Sequence, residues 1–181
     1  MNRKSIRLKG YDYSQAGLYF ITICCQDRAC LFGDVVNGKI GLNVAGKIAN
    51  ECWLEIPEHF PNVILHEYTV MPNHIHGIIE LTEIVGAKNF SLHQHSPHHT
   101  GANDFSPLRI PFVSPSRTIG SIVRGFKIGV TKWMRQNTDV ETVWQRNYHE
   151  HIIRNEQSYQ TISDYIINNP GKWADDKFNL E

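Results

Sequence analysis

The sequence has no excess of either charge: 18 lysines and arginines balance 18 aspartates and glutamates, so the net charge is zero. It lacks an apolar run of membrane length, and the basic residues 1–7 lead into no apolar segment of a secretion signal. The four cysteines form no C-x-x-C pair and no disulfide-like spacing. We therefore expect reduced, buried thiols in a cytoplasmic protein with no membrane partner.

What remains is the composition of an ordinary soluble globular protein, with 41% hydrophobic and 20% charged residues. A chain of 181 residues is long enough for one well-cored domain, so we expect a single domain over 1–181. Residues 84–113 interrupt it with glycines, prolines and a histidine-rich tract at 93–99. This long insertion is either a flexible, solvated segment or a segment that binds transition metals through its histidines.

Charge is segregated along the chain even though its sum is zero. Residues 1–10 and 105–136 contain basic residues and no acid. A neutral protein with such segments can present a basic face to phosphate, although the same residues suit plain solvated helix faces. The candidate contacts to DNA are Arg7, Lys9, Arg124 and Lys127.

Apolar periodicity and turn residues predict an α+β fold. Strands are expected at 18–25, 63–70, 74–81 and 143–146, with a hairpin at 35–40 around Asn37-Gly38. Helices are expected from Asn43 to about residue 55 and over 156–168. Another helix is expected to begin at 114–116, with a buried apolar face that extends to Met134. This order fits a ferredoxin-like (RRM-like) antiparallel sheet followed by a C-terminal helix.

Two histidines lie two residues apart in the predicted strand at 74–81. Side chains alternate along a strand, so His74 and His76 point to the same face, about 7 Å apart. Two imidazoles at this spacing can converge on one metal ion. The alternative is a pair of ordinary histidines on a half-solvated strand.

Tyr165 and Asn169 are four residues apart in the last predicted helix and share one helical face. Pro170 is expected to bias Asn169 away from α geometry and free its side chain to turn inward. Structurally, the two residues could be a packing tyrosine and a polar C-cap. A tyrosine, an amide and two histidines are also the parts of a tyrosine nuclease, in which the tyrosine attacks a DNA phosphate beside a metal.

The chain resembles the single-tyrosine HUH transposases, particularly the REP-associated tyrosine transposases and their insertion-sequence relatives. The matching stretches occur in order along nearly the whole chain and leave out the insertion. They are residues 7–13, 17–25, 70–76, 126–127, 143–154 and 164–170.

The resemblance implies a ferredoxin-like sheet carrying His74 and His76, with Tyr165 as nucleophile and Asn169 as third metal ligand. It implies Mg²⁺ or Mn²⁺ as the metal and a bacterial or archaeal cytoplasm as the location. Family members cut single-stranded DNA beside an imperfect hairpin, leaving a 5′-phosphotyrosine and a free 3′-hydroxyl, and rejoin strands by the reverse reaction. They include monomers and homodimers.

Rival residues and functions stay open. Tyr148 lies among histidines but has no amide one turn on, and Tyr159 is followed four residues later by Ser163, a poor metal ligand. A catalytically idle DNA-hairpin-binding protein is one alternative function. A metal-dependent hydrolase that uses activated water without a covalent intermediate is the other.

Overall fold

A computed structural model of the chain describes residues 10–83, 117–176, 178 and 179. In chain order its elements are β1 (Gly17–Cys24), β2 (Gly33–Val36), β3 (Lys39–Leu42), α1 (Val44–Leu54), α2 (Ile56–His59), β4 (Val63–Met71), β5 (His74–Leu81), α3 (Ile119–Asn137), β6 (His149–Ile153) and α4 (Glu156–Asn168). Short 3₁₀ helices cover Gln26–Arg28 and Pro170–Asp175. Arg7, Lys9 and the predicted insertion at 84–113 lie outside the described residues.

The main sheet has four strands in the order β4-β5-β1-β6, and every neighbouring pair is antiparallel. Together with its α1 and α3 connections, this is the ferredoxin-like order, so the predicted α+β fold is confirmed. The register places Thr22 opposite His76 and Cys24 opposite His74. The β2–β3 hairpin turns through Asn37 and Gly38, which both have positive φ, as an Asn-Gly turn requires.

Helices cover both faces of the sheet. The larger core lies against α1 and α3, where Trp53 and Phe126 meet with ring centroids 5.4 Å apart. Gly77 on β5 lies beneath this indole, and a Cβ there would overlap the Trp53 ring. A smaller core of Ile78, Ile153 and Ile166 holds α4 against the opposite face. None of the described helices combines the length and apolarity needed to cross a membrane.

Two predicted elements differ from the structure, one in its first residue and one in its extent. The third helix begins at Ile119 rather than near 114–116, because the side chains of Thr118 and Ser121 form a reciprocal capping box at that point. The predicted strand at 143–146 is reduced to an isolated bridge between Cys25 and Trp144. The fourth strand is β6. Only its last residue, Ile153, is buried, so the sequence His-Glu-His-Ile-Ile of this edge strand gives little apolar signal.

The prediction of four buried thiols is wrong for one cysteine. No disulfide joins any of the four within the part of the chain that the structure describes, and Cys24 and Cys25 are buried on β1 and just after it. Cys52 is partly buried on α1. Cys30 is exposed because it lies in the loop that follows the first 3₁₀ helix, outside any strand.

Candidate metal centre

His74 and His76 lie side by side on β5, on the sheet face that α4 covers. Their ring centroids are 4.4 Å apart, and the two residues are 0% and 1% exposed. Neither is therefore a half-solvated surface histidine. Burial of two imidazoles requires polar partners for their ring nitrogens, and those partners determine what the site can bind.

Asn73 determines the tautomer of His74. The side-chain Nδ2 of Asn73 donates to the backbone oxygens of Arg28 at 3.1 Å and Phe178 at 2.7 Å. Its Oδ1 therefore faces His74 and accepts from the Nδ1–H of that ring at 2.8 Å. The neutral ring then carries its lone pair on Nε2, the nitrogen available to a metal.

Thr22 and Tyr165 engage the two nitrogens of His76. The Thr22 hydroxyl lies 2.8 Å from Nδ1, across the β1–β5 ladder. The Tyr165 hydroxyl, which comes from α4, lies 3.1 Å from Nε2. The tyrosine is 37% exposed, so its ring reaches the buried histidines while one side faces solvent. This arrangement brings the predicted nucleophile to the predicted metal ligands.

Asn169 closes the site from the end of α4. It is 1% exposed, and its Nδ2 donates to Asp176 Oδ2 at 2.7 Å. Its Oδ1 is buried and has no hydrogen-bond partner among the described residues. The expectation that Pro170 biases Asn169 away from α geometry is wrong, since its φ of −58° and ψ of −43° are helical. The chain continues directly into a 3₁₀ helix, and Asn169 turns inward without a change of backbone region.

Asp176 is a site residue that the sequence reasoning missed. One ligand atom each from His74, His76 and Asp176 lies within 4.8 Å of the others. Donors 2.0–2.1 Å from an octahedral ion lie at most about 4.2 Å apart, so small side-chain shifts suffice for this group to close on one. Two imidazoles, a carboxylate and the buried amide oxygen of Asn169 are a donor set that fits a small divalent cation.

Two phenylalanine rings line the site. The ring centroid of Phe178 lies 4.6 Å from that of His74 and 5.8 Å from that of His76, and this residue is 7% exposed. Phe20 stacks on His76 at 5.3 Å and meets Tyr165 edge-on at 6.2 Å. These rings exclude water around the imidazoles, which strengthens electrostatic interactions inside the site.

Burial raises the pKa of Tyr165 above its usual value, and the nearby Asp176 carboxylate raises it further. The side chain of Asn169 opposes these effects and lowers the pKa. These groups therefore favour the protonated phenol at neutral pH. A positive charge beside the hydroxyl would offset both effects and favour the nucleophilic phenolate.

The rival tyrosines lie elsewhere. The Tyr159 hydroxyl donates to Glu67 at 2.9 Å and lies 3.1 Å from Nδ1 of His66, in a polar cluster that ties α4 to β4. Tyr148 is half-buried and packs against the larger core on the other face of the sheet. Of these three tyrosines, the structure places Tyr165 beside the histidine pair.

The two described basic candidates for DNA contact differ in their surroundings. Arg124 is exposed on α3. Lys127 is half-buried, and its ammonium donates to the backbone oxygens of Gln145 at 2.9 Å and Asn147 at 3.2 Å. Burial lowers the pKa of Lys127 to about 8. Lys127 therefore holds the segment that leads into β6, whereas the guanidinium of Arg124 faces solvent.

No protein-family model matches the chain. A Haemophilus influenzae protein named only as uncharacterized is 47% identical over 181 residues, which cover 99% of this chain and 94% of that protein. A second Haemophilus influenzae protein, whose proposed identity is a REP-associated tyrosine transposase, is 25% identical over 164 residues, covering 89% of this chain and 74% of that protein.

A solved structure shares the fold. The structure of a REP-associated tyrosine transposase bound to a REP hairpin matches with a TM-score of 0.58 and 21% identity, over 96% of this chain and 74% of that chain. The resemblance stated from the motifs is thus confirmed, in sequence by the 25% identical relative and in fold by this structure. The chain belongs to the same family as the 47% identical Haemophilus influenzae protein, and it resembles the REP-associated tyrosine transposases.

Proposed function

We propose that this protein is a metal-dependent single-stranded DNA endonuclease and strand transferase that recognises a DNA hairpin. One observation carries the proposal: the Tyr165 hydroxyl lies 3.1 Å from Nε2 of His76, within a cluster of metal-ligand side chains. A hairpin substrate is supported by the solved relative, a REP-associated tyrosine transposase bound to a REP hairpin.

The residues present fit a divalent cation, Mg²⁺ or Mn²⁺. His74, His76 and Asn169 would hold it, and the Asp176 carboxylate would add a negatively charged ligand. Such an ion supplies a Lewis acid that polarises the oxygens of the scissile phosphate. The hydrogen bond that His74 Nδ1–H donates to Asn73 Oδ1 orients the imidazole, so the part of Asn73 is to hold a proposed ligand in place.

The proposed cleavage reaction consumes no water. The Tyr165 hydroxyl oxygen attacks phosphorus, the P–O3′ bond breaks, and the phosphate remains on the tyrosine as a diester at the 5′ end of one strand. The departing strand leaves as a 3′-hydroxyl, which in net terms receives the phenolic proton. Because the phosphotyrosine keeps the energy of the broken diester, a 3′-hydroxyl can reverse the step and join strands.

A denaturing gel tests the covalent step. Single strands carrying hairpins from the DNA that flanks the gene are incubated with the protein and Mn²⁺, and a protein–DNA band that survives denaturation is expected. Tyr165→Phe should abolish this band. The control Tyr159→Phe removes a hydroxyl from the same helix, but one bonded to Glu67, and should retain it.

Other results would point to the alternative functions. Free cut ends without an adduct would indicate a hydrolase that uses activated water. A shifted band on a native gel with no cutting in Mg²⁺ or Mn²⁺ would indicate a DNA-hairpin-binding protein that is catalytically idle. An adduct that persists in Tyr165→Phe and disappears in Tyr148→Phe would contradict the nucleophile.

A further inference from the structure

An open surface cavity of about 570 Å³ lies between β6 and the first half of α4, and the next turn of that helix carries Tyr165. Its volume is in the range of sites that hold small organic groups. The side chains that line it combine rings, hydroxyls, two amides and an aliphatic group. They include Phe20, His151, Asn155, Ser158, Thr161 and Ile162.

This cavity adjoins the proposed nucleophile. Phe20 connects the two: it lines the cavity, and its ring meets the ring of Tyr165 edge-on with centroids 6.2 Å apart. Thr161 lies one helical turn before Tyr165, on the same face of α4, about 6 Å along the helix axis. A group in the cavity would therefore be close to a phosphate attacked by Tyr165.

The chemistry of the walls suits a nucleobase. Phe20 and His151 are directly opposite each other in the β1–β6 register, so two flat rings lie on neighbouring strands of the sheet. Aromatic rings stack on any base, while hydroxyl and amide groups bond to base edges. The cavity lining contains no carboxylate that would repel the adjoining phosphates.

A second cavity extends the first around the end of β6. It has a volume of about 430 Å³ and shares His151, Asn155 and Ser158 with the first cavity. It is also lined by Arg154, a cation, and by Glu150, whose carboxylate oxygens are buried. The guanidinium of Arg154 is exposed, so a strand leaving the first cavity would pass a group that can bind its phosphate.

We propose that the cavity between β6 and α4 is a nucleobase subsite, which holds a base adjoining the phosphate that Tyr165 attacks. The inference rests on the proposed function, because it requires single-stranded DNA at Tyr165. Bases in a duplex are stacked and paired, so only a single strand offers a base to this cavity. The subsite selects for a base through stacking, independently of the basic residues that bind phosphate.

A binding experiment tests the subsite. The whole protein carrying Tyr165→Phe, which cannot cleave, is titrated with a short oligothymidylate and with an abasic strand of equal length and charge. The ratio of the two affinities measures the contribution of the bases. In this Tyr165→Phe background, a second substitution, Phe20→Leu or His151→Ala, should lower the affinity for oligothymidylate relative to the abasic strand. The decrease should be roughly fivefold or more for Phe20→Leu, because a ring on which a base stacks is lost.

Gln160→Ala provides the matched control, since Gln160 is exposed on α4 and its amide bonds to Asp164 outside the cavity. It should leave the ratio unchanged. Phe20 packs against the smaller core, so the thermal transition of Phe20→Leu is checked, whereas His151 is exposed and its loss leaves packing intact. Equal binding of both strands, or a ratio that neither substitution lowers, overturns the subsite.

The covalent assay on the unsubstituted protein separates this inference from the proposed function. An adduct at Tyr165 together with an unchanged affinity ratio would overturn the nucleobase subsite alone. A lowered ratio without any adduct would overturn the cleavage chemistry and keep the subsite as a site for a base of single-stranded DNA.

Discussion

Replacing Asn73 by alanine should weaken both the fold and the metal centre. The side chain is 1% exposed and takes part in three hydrogen bonds, with Arg28 O, Phe178 O and His74 Nδ1. Each contributes about 1 kcal/mol net, so the free energy of unfolding should fall by about 3 kcal/mol. For a chain of this size the thermal midpoint would drop by about 6–12 °C.

The metal affinity should fall for a separate reason. The Nδ1–H of His74 donates to Asn73 Oδ1, so removing this acceptor weakens the constraint on which ring nitrogen His74 presents to the site. Loss of a partner that orients a ligand typically costs about 10- to 100-fold in metal affinity. The lost bond to Phe178 O also releases the segment that carries Asp176.

Two measurements check this expectation. Thermal unfolding gives the change in stability, and titration with Mn²⁺, followed by the loss of the free-ion electron paramagnetic resonance signal, gives the affinity. Asn168→Ala is the control, because that exposed amide bonds to the carbonyl of Asp164 within its own helix α4. Asn73→Ala with a lowered midpoint and an unchanged Mn²⁺ affinity would refute the role of Asn73 in setting the tautomer.

Three further expectations concern the nucleophile, the metal and the DNA contacts. Tyr165→Phe should abolish covalent DNA attachment on a denaturing gel while hairpin binding stays within about twofold in a mobility-shift assay; weaker binding would indicate a role in DNA affinity instead. His74→Ala and His76→Ala should each abolish cleavage and Mn²⁺ binding, and EDTA should abolish cleavage by the unsubstituted protein. Full cleavage activity in the presence of EDTA would show that the two histidines have a structural role only. Arg124→Ala should reduce the slope of log affinity against log salt by about one unit. Lys127→Ala should reduce this slope by less, because the Lys127 ammonium already donates to two carbonyls. Equal reductions in the two variants would show that DNA binding frees the Lys127 ammonium.

The pH dependence of stability tests the environment of Lys127. Its pKa is lowered to about 8 in the fold, from 10.5 in a solvated lysine. Between these two values the unfolded chain binds more protons than the folded chain, so this residue makes stability rise with pH from about 8 upward. Lys127→Met should remove that rise in urea unfolding curves measured from pH 7.5 to 10. A rise that survives the substitution would have to come from other groups.

Local spacing rules predicted the central pair of the site and its tyrosine. Once 74–81 is assigned as a strand, the period of two puts His74 and His76 on one face whatever the strand pairs with. The helical period likewise puts Tyr165 one turn before Asn169. Neither step needs knowledge of the tertiary fold. The residue types then limit the chemistry, because imidazole, amide and phenol side chains point to a metal and a nucleophile.

The edge strand and the hydrogen bonds that orient the ligands could not be predicted in this way. β6 has one fully buried residue, so its sequence carries almost no alternation of apolar and polar side chains. Thr22 reaches His76 only because β1 and β5 pair in one register, 54 residues apart in sequence. Such a register follows from the packing of the whole sheet rather than from either strand alone.

Asp176 shows most clearly why a ligand set is harder to predict than a motif. It lies in the polar segment that follows the second 3₁₀ helix, where one carboxylate among several gives no sign of its destination. Its position depends on Phe178, whose backbone oxygen accepts from Asn73 across 105 residues and whose ring packs on His74. The same asparagine orients His74, so one buried amide fixes both a candidate histidine ligand and the segment that brings the carboxylate. A single change at Asn73 should therefore disturb two sides of the metal centre at once, which no spacing rule within 74–76 or 165–169 would suggest.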